Sequence, residues 1–277
     1  DVDNIREILA RVKDSHITNR AVDYARDDKG RLKQPDVGRS GGTPEQLLKA
    51  LVDSEATSDA LTFELKPAFF QASEGKVYVP MDIVFGEGFS RGQTTIFYAL
   101  HDADGVALSQ FTGTADPTEG ARGHLGVELP IQVPPGVYKL YIGLIDSSRT
   151  FGSKIFDIEV PNFADGEFKL SSLVMFSKSE RTGKVKGTLG EAFMLGGYHF
   201  YPKRELVYTH ENQLSCVFNA YNYGLDNGKP NLTFQASFFR EGKARGMTAE
   251  QPFMAQSPQV ALTIVDLPLS IANFKKP

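Results

Sequence analysis

The feature that most limits the fold of this chain is an alternation of apolar and polar residues with a period of two, which begins near Leu61. The clearest runs are Val77–Phe85, Thr94–Leu100 and Leu125–Val133, and the turn-forming segments Gly86–Gly92, Asp102–Gly105 and Pro134–Gly136 separate or follow them. Short alternating strands at roughly 8–12-residue spacing are typical of a β-sandwich or barrel. No helical pattern lies between these strands, which argues against a parallel α/β sheet.

A break at Pro161–Gly166 divides the alternating region into two parts. Beyond it the strand pattern resumes at Phe168–Phe176, Leu206–Thr209, Leu214–Tyr221, Leu232–Phe239 and Val260–Leu267. The sequence therefore predicts an all-β protein with two tandem immunoglobulin-like β-sandwich domains, at residues 61–162 and 166–277.

An N-terminal arm, residues 1–60, precedes these domains. A short amphipathic helix is predicted at Asn4–Val12, and a second helix begins at Thr43, because Thr43-Pro44-Glu45-Gln46 forms a capping box. Between them Lys13–Gly42 has no period and buries too little apolar surface to order itself. We expect this segment to be held either by the sandwiches of the same chain or by a partner chain.

The two β domains resemble copies of one another. Residues 76–105 align with 213–242, and residues 127–146 align with 265–277. On this alignment the second copy lacks counterparts of the strands at Gly136–Asp146 and Lys154–Val160. We expect the chain to continue past Pro277 and supply them. The alternatives are that the arm fills the gap or that a partner donates a strand.

Several segments resemble exported bacterial proteins. KVYVPMDIVF (76–85), VELPIQVPPGVYKLYIGLID (127–146) and IFDIEVPNF (155–163) resemble the β-sandwich region of acidobacterial VWFA-related proteins. LSSLVMF (170–176), FMLGGYHFYPKRELVY (193–208) and LSCVFNAYNYGLDNGKPNLTFQASFFREGK (214–243) resemble the tail of GWxTD-domain proteins, although the GWxTD motif itself is absent. The resemblance implies an envelope or extracellular location and a non-enzymatic role, and it brings no catalytic residues.

Composition and motifs exclude several classes of function. The net charge of −4, from 30 basic and 34 acidic residues, is not that of a nucleic-acid-binding protein. We find no catalytic set, no cofactor motif and no apolar run long enough to span a membrane. The metal-ligand candidates are Asp102 and Asp104, but a hairpin turn explains these residues better than a calcium loop does. Cys216 alternates in phase with Leu214 and Phe218 and is predicted to be a buried apolar residue.

The aromatic residues of the second domain suggest a role in contacts. The chain has 20 Phe, 10 Tyr and no Trp, whereas sugar-binding sandwiches often use Trp. Core packing is the favoured explanation of these aromatic residues, and the candidates for protein contact are Tyr198, Tyr201, Tyr221 and Tyr223.

These observations lead us to expect a non-enzymatic, exported structural or protein-binding protein. It would be an accessory or scaffold subunit of a bacterial envelope or membrane-associated assembly. The 1–60 arm would contact the other members of that assembly. The resemblance and the start at Asp1 rather than Met favour the periplasm or cell surface. An adhesin or carbohydrate-binding module is the alternative, and an enzyme comes third.

Overall fold

The chain folds mostly into β-strands, with one α-helix in the part that is described. The computed structural model describes residues 43–120, 124–183, 187–204, 213–252 and 260–268. The predicted helix at Asn4–Val12, the arm segment Lys13–Gly42, the strand at Leu206–Thr209 and the segment after Pro268 lie outside the described residues.

Helix α1, Pro44–Ser54, begins at the predicted capping box. The Gln46 side chain accepts a hydrogen bond from the Thr43 backbone N–H at 2.9 Å, and the Thr43 hydroxyl accepts one from Gln46 N–H at 3.4 Å. The apolar face of the helix, including Leu48 and Leu51, packs on Phe97. The end of the predicted arm that is described is therefore packed onto the first β domain.

The first β unit, residues 61–162, is a sandwich of two antiparallel sheets. Its strands are β1 Phe63–Pro67, β2 Phe70–Gln71, β3 Val77–Phe85, β4 Thr94–Asp102, β5 Ala107–Ala115, β6 Thr118–Glu119, β7 Leu125–Val133, β8 Gly136–Ile145 and β9 Phe151–Val160. One sheet has the order β1-β3-β7-β6, with β2 also on β3, and the other has the order β5-β4-β8-β9. Their facing side chains form one core, in which Met81, Ile83, Leu140 and Ile142 are completely buried. The predicted all-β class is confirmed.

The second β unit, residues 166–268, is built around one larger sheet. Its strands are β10 Lys169–Leu170, β11 Val174–Arg181, β12 Met194–Leu195, β13 Tyr198–Pro202, β14 Gln213–Tyr221, β15 Leu225–Asp226, β16 Lys229–Pro230, β17 Thr233–Phe234, β18 Ser237–Arg240, β19 Lys243–Met247, β20 Gln251–Pro252 and β21 Val260–Pro268. β10 to β14 and β21 form a six-stranded sheet, and β15 to β20 form three two-stranded ribbons. Within the described residues this unit is not a closed sandwich.

Two segments that the alternation predicts as single strands are interrupted. The strand expected at Phe168–Phe176 breaks into β10 and β11, because Ser171 between them accepts a hydrogen bond from the Asn219 N–H at 2.8 Å through its hydroxyl. The strand expected at Leu232–Phe239 breaks at Ala236, whose N–H donates to the Thr248 hydroxyl at 3.0 Å. In both places a bond to a side-chain hydroxyl from a distant part of the chain replaces one backbone ladder bond.

The central strands of the two large sheets have similar neighbours. β3 lies between β1 and β7, and β14 lies between β10 and β11 on one side and β21 on the other. The register differs from the aligned repeat: Ile83 lies opposite Val127, but its predicted counterpart Ala220 lies opposite Ala261 instead of Val265. A shift of four residues keeps every side chain on its own face, because the period of a strand is two.

The two units pack against each other through apolar side chains. Phe70 of the first unit lies in a cluster with Phe193 and Phe200 of the second. Tyr221 of β14 reaches the core of the first unit, with its ring centroid 4.8 Å from that of Phe163. The units therefore bury apolar side chains against each other in two clusters.

Candidate functional site

The most unusual chemistry in the described part of the chain lies at the junction between the two β units. Asp82 on β3 and Glu128 on β7 are direct cross-strand neighbours on the outward face of their sheet. Outward positions of a sandwich normally face water, but here both residues are buried, with 1% and 2% of their surface exposed. Two adjacent buried carboxylates need strong polar partners, because removing a charge from water is costly.

Arg204, which follows β13, is the partner of Asp82. Its Nε lies 3.0 and 3.1 Å from the two carboxylate oxygens and its Nη2 lies 2.9 Å from Oδ1, while Nη1 donates to the Thr118 carbonyl. Both side chains are 3% exposed or less. This is a multiply bonded guanidinium–carboxylate pair of the strong type.

Gly126 provides the space for this guanidinium. A Cβ atom at this position would lie 2.5 Å from the Ile83 carbonyl oxygen and 2.6 Å from the Arg204 Nε. Any larger residue at position 126 therefore displaces the Arg204 side chain or the backbone of β3.

Glu128 has a separate set of partners on the second unit. Its Oε2 accepts hydrogen bonds from Ala192 N–H at 2.7 Å and Phe193 N–H at 3.3 Å, and it lies 2.9 Å from His199 Nε2. The His199 ring in turn lies against Tyr201, with 4.2 Å between the ring centroids. The two buried carboxylates, Asp82 and Glu128, are thus bound by different segments of the second unit.

Burial shifts the pKa of two groups at the junction, Asp82 and Tyr78. It raises the pKa of Asp82, an effect that the positive charge of Arg204 opposes and that nearby Glu128 reinforces. Burial also raises the pKa of Tyr78 to about 12, and the hydroxyl of Tyr78 donates to the Ala192 carbonyl. The junction therefore holds polar groups in fixed pairs that join the two units.

A cleft of about 690 Å³ lies beside the junction, and Arg204 forms part of its wall. The other charged side chains of the wall are Glu64 and Lys66 of β1, Glu87 and Arg91 of the β3–β4 loop, and Lys154 of β9. Phe85 and Phe89 are stacked in the wall, with 3.9 Å between their ring centroids. The cleft thus combines an aromatic surface with charges of both signs.

The metal-ligand candidates belong to a turn. The Asp102 Oδ1 atom accepts hydrogen bonds from the N–H groups of Asp104 at 3.0 Å and Val106 at 2.8 Å, and Gly105 has a φ of +80°. These are the bonds of a hairpin turn. Among the residues that are described, no three His, Cys, Asp or Glu side chains are grouped closely enough to hold a metal ion. Cys216 is buried, as predicted.

The four tyrosines proposed for protein contacts have different surroundings. Tyr221 is completely buried, and its hydroxyl accepts hydrogen bonds from the Gln71 N–H at 2.9 Å and the Asn219 side chain at 3.0 Å. Burial against the first unit leaves Tyr221 no surface for a partner, so its assignment as a partner contact is corrected to an intramolecular one. Tyr223 is also buried, whereas Tyr198 and Tyr201 are half-buried, and for these two the contact role stays a prediction.

Sequence reasoning missed the residues of the junction, namely Asp82, Glu128, His199 and Arg204. A usable signal was present, because Asp82 and Glu128 interrupt strands whose remaining residues are nearly all apolar or small on both faces. Such a run indicates a strand that is buried on both sides, and a carboxylate within it requires a buried partner.

Comparisons with known proteins add no functional information. No protein-family model matches the chain, and no curated protein matches it either. One similar solved structure is the X-ray structure of Northeast Structural Genomics Consortium target SoR45, at 16% identity and a TM-score of 0.28. The match covers 38% of this chain and 91% of that one, and a likeness of this size carries no argument.

Proposed function

We propose that this chain is a non-enzymatic structural or protein-binding protein, an accessory or scaffold subunit of a bacterial envelope or membrane-associated assembly. The observation that carries the proposal is the buried, charge-paired junction. The side chains of Asp82 and Glu128 form hydrogen bonds to Arg204, to the Ala192 N–H and to His199, all on the second unit. A scaffold needs such a fixed relation between its parts.

We also propose that the two β units are tandem immunoglobulin-like sandwiches. Two tandem immunoglobulin-like sandwiches are supported by the common position of β3 and β14 between antiparallel neighbours. The hairpin turns at Gly105 and Gly242 also support it, because these glycines align in the proposed repeat and have φ values of +80° and +74°. Export to the periplasm or cell surface is supported by the resemblance to exported proteins. None of the helical segments in the described residues has the length and apolar character needed to cross a membrane.

An apolar strip on the second unit offers a surface for the partner. Phe168, Leu170 and Leu173 lie within six residues of one another, and each is at least half exposed. Exposed large apolar side chains in a group are typical of protein contact surfaces. The rigid junction would hold this strip in a constant orientation relative to the first unit.

Site-specific photo-cross-linking in envelope fractions tests the proposal. A photoreactive residue at Leu173 is expected to give one protein adduct of defined mass and constant stoichiometry. The matched control is the same residue at Val137 on β8, which is 56% exposed compared with 57% for Leu173. Equal adducts from both positions, no adduct from Leu173, or recovery of the protein only in the cytoplasm would contradict the proposal.

The alternative function, an adhesin or carbohydrate-binding module, has one observation in its favour. The cleft beside the junction combines stacked phenylalanines with cationic and anionic side chains. Such a surface suits a sugar better than it suits the apolar face of another protein.

A further inference from the structure

The cleft of the first unit contains two lysines whose positions are fixed by the backbone. Lys154 Nζ donates to the Phe63 carbonyl at 2.6 Å and lies 5.4 Å from the centre of the Phe63 ring. Lys66 Nζ donates to the Arg204 carbonyl at 2.9 Å. An ammonium group has three N–H donors, so each lysine retains donors for a ligand after making its carbonyl bond.

The charge of Lys154 is the least compensated in the wall of the cleft. Arg204 is paired with Asp82, Arg91 lies 3.2 Å from Glu119, and Lys66 lies 3.9 Å from Glu64. No carboxylate within the described ranges lies at ion-pair distance from Lys154. An anion that binds Lys154 in the cleft therefore does not have to displace a carboxylate from it.

The remaining surface of the cleft restricts the shape of the ligand. Phe89, which is half-buried and stacks on the buried Phe85, provides an aromatic surface, while Glu64 and Glu87 provide acceptors for hydroxyl groups. A volume of about 690 Å³ lies within the usual range of roughly 300–1,000 Å³ for small-molecule sites. A ligand that uses all of these groups carries a carboxylate, several hydroxyls and a ring with an apolar face.

We propose that this cleft is a binding site for an acidic sugar. The carboxylate lies between Lys66 and Lys154, the hydroxyls bond to the glutamates, and the ring lies against Phe89. The site uses β1, the β3–β4 loop and β9, so it is separate from the protein-contact strip, and it meets the junction only at Arg204, whose carbonyl holds Lys66.

The site is tested by isothermal titration calorimetry of the full 277-residue chain with digalacturonate. Digalacturonate is the doubly charged disaccharide of a uronic acid. Lys154→Met removes the charge and keeps an apolar side chain over Phe63, and it is expected to weaken binding about tenfold or more. Lys154→Arg is expected to recover most of the affinity. Lys76→Met is the matched control and is expected to bind like the wild type, because Lys76 lies outside the cleft and, like Lys154, is half-buried.

Four results would overturn the proposal. They are the absence of digalacturonate binding, equal loss in Lys76→Met and Lys154→Met, equal affinity for a neutral disaccharide, and tighter binding of a hexaglutamate peptide. Phe89→Leu gives a second reading if Lys154→Met does not fold. It is expected to lower the affinity for digalacturonate and to leave any affinity for inorganic phosphate unchanged. An equal loss of affinity for both ligands would contradict the proposal that the sugar ring lies against Phe89.

Discussion

Replacing Arg204 by Met is expected to remove a large part of the stability that joins the two units. Methionine retains the apolar stem of arginine, so little packing is lost, but Asp82 loses its guanidinium bonds at 2.9–3.1 Å while only 2% of its side chain is exposed. Removing one partner of a buried ion pair costs about 3–5 kcal/mol, because the other charge remains buried and uncompensated. For a chain of this size that corresponds to a fall in Tm of roughly 6–20 °C.

The pH dependence of this variant follows from the pKa of Asp82. Burial raises that pKa in the folded protein and Arg204 lowers it, so losing Arg204 raises it further. The folded variant then binds a proton at a pH where the unfolded chain is still ionised, and its stability increases as the pH falls towards the ordinary carboxyl range. The deficit of Arg204→Met relative to the wild type should therefore be smaller at about pH 5 than at about pH 8.

Urea unfolding of the wild type, Arg204→Met and the double variant Asp82→Asn/Arg204→Met measures these quantities. The double variant should recover most of the lost free energy, because it buries no unpaired charge. A loss below about 1 kcal/mol, the same loss at both pH values, or no recovery in the double variant would refute the reasoning.

Three further predictions concern single contacts. Thr43→Ala removes the cap of α1 and should lower the free energy of unfolding by about 1 kcal/mol in urea titration, whereas Thr43→Ser should keep it. Gly126→Ala should destabilise the wild type by displacing the guanidinium of Arg204 and should do so less in the Arg204→Met background, as a double-mutant cycle would measure. Tyr221→Phe leaves the Gln71 N–H without its buried acceptor and should cost about 1–3 kcal/mol, measured by thermal unfolding.

The alternation of the sequence predicted the sandwich strands because it records which residues face a core. Local signals of this kind predicted β3, β4, β7, β8 and β9 of the first unit, the long strands β14 and β21, and the start of α1 at Thr43. Among the short ribbons β15 to β20, the alternation predicted one continuous strand, Leu232–Phe239, and the structure breaks it at Ala236, whose N–H bonds to the Thr248 hydroxyl. Such bonds depend on which segments meet in space.

The junction could not be derived because it depends on contacts between distant residues. Asp82 and Arg204 are 122 positions apart, and Glu128 and His199 are 71 apart. The sequence shows a carboxylate in an apolar strand but not the partner that neutralises it. Tyr221 was misjudged for the same reason, since composition cannot distinguish the buried Tyr221 from the half-buried Tyr201.

The most direct test of the scaffold account is the distance between the two units in solution. Spin labels at Val137→Cys on β8 and Lys178→Cys on β11 sit on exposed strand positions of different units, and Cys216 is buried from the labelling reagent. Double electron–electron resonance spectroscopy should give one narrow distance distribution for the labelled chain with an intact junction. It should give a broad distribution when the labelled chain also carries Arg204→Met and Glu128→Gln. A broad or multiple distribution in the chain with an intact junction would show that the two units move independently and would contradict the account.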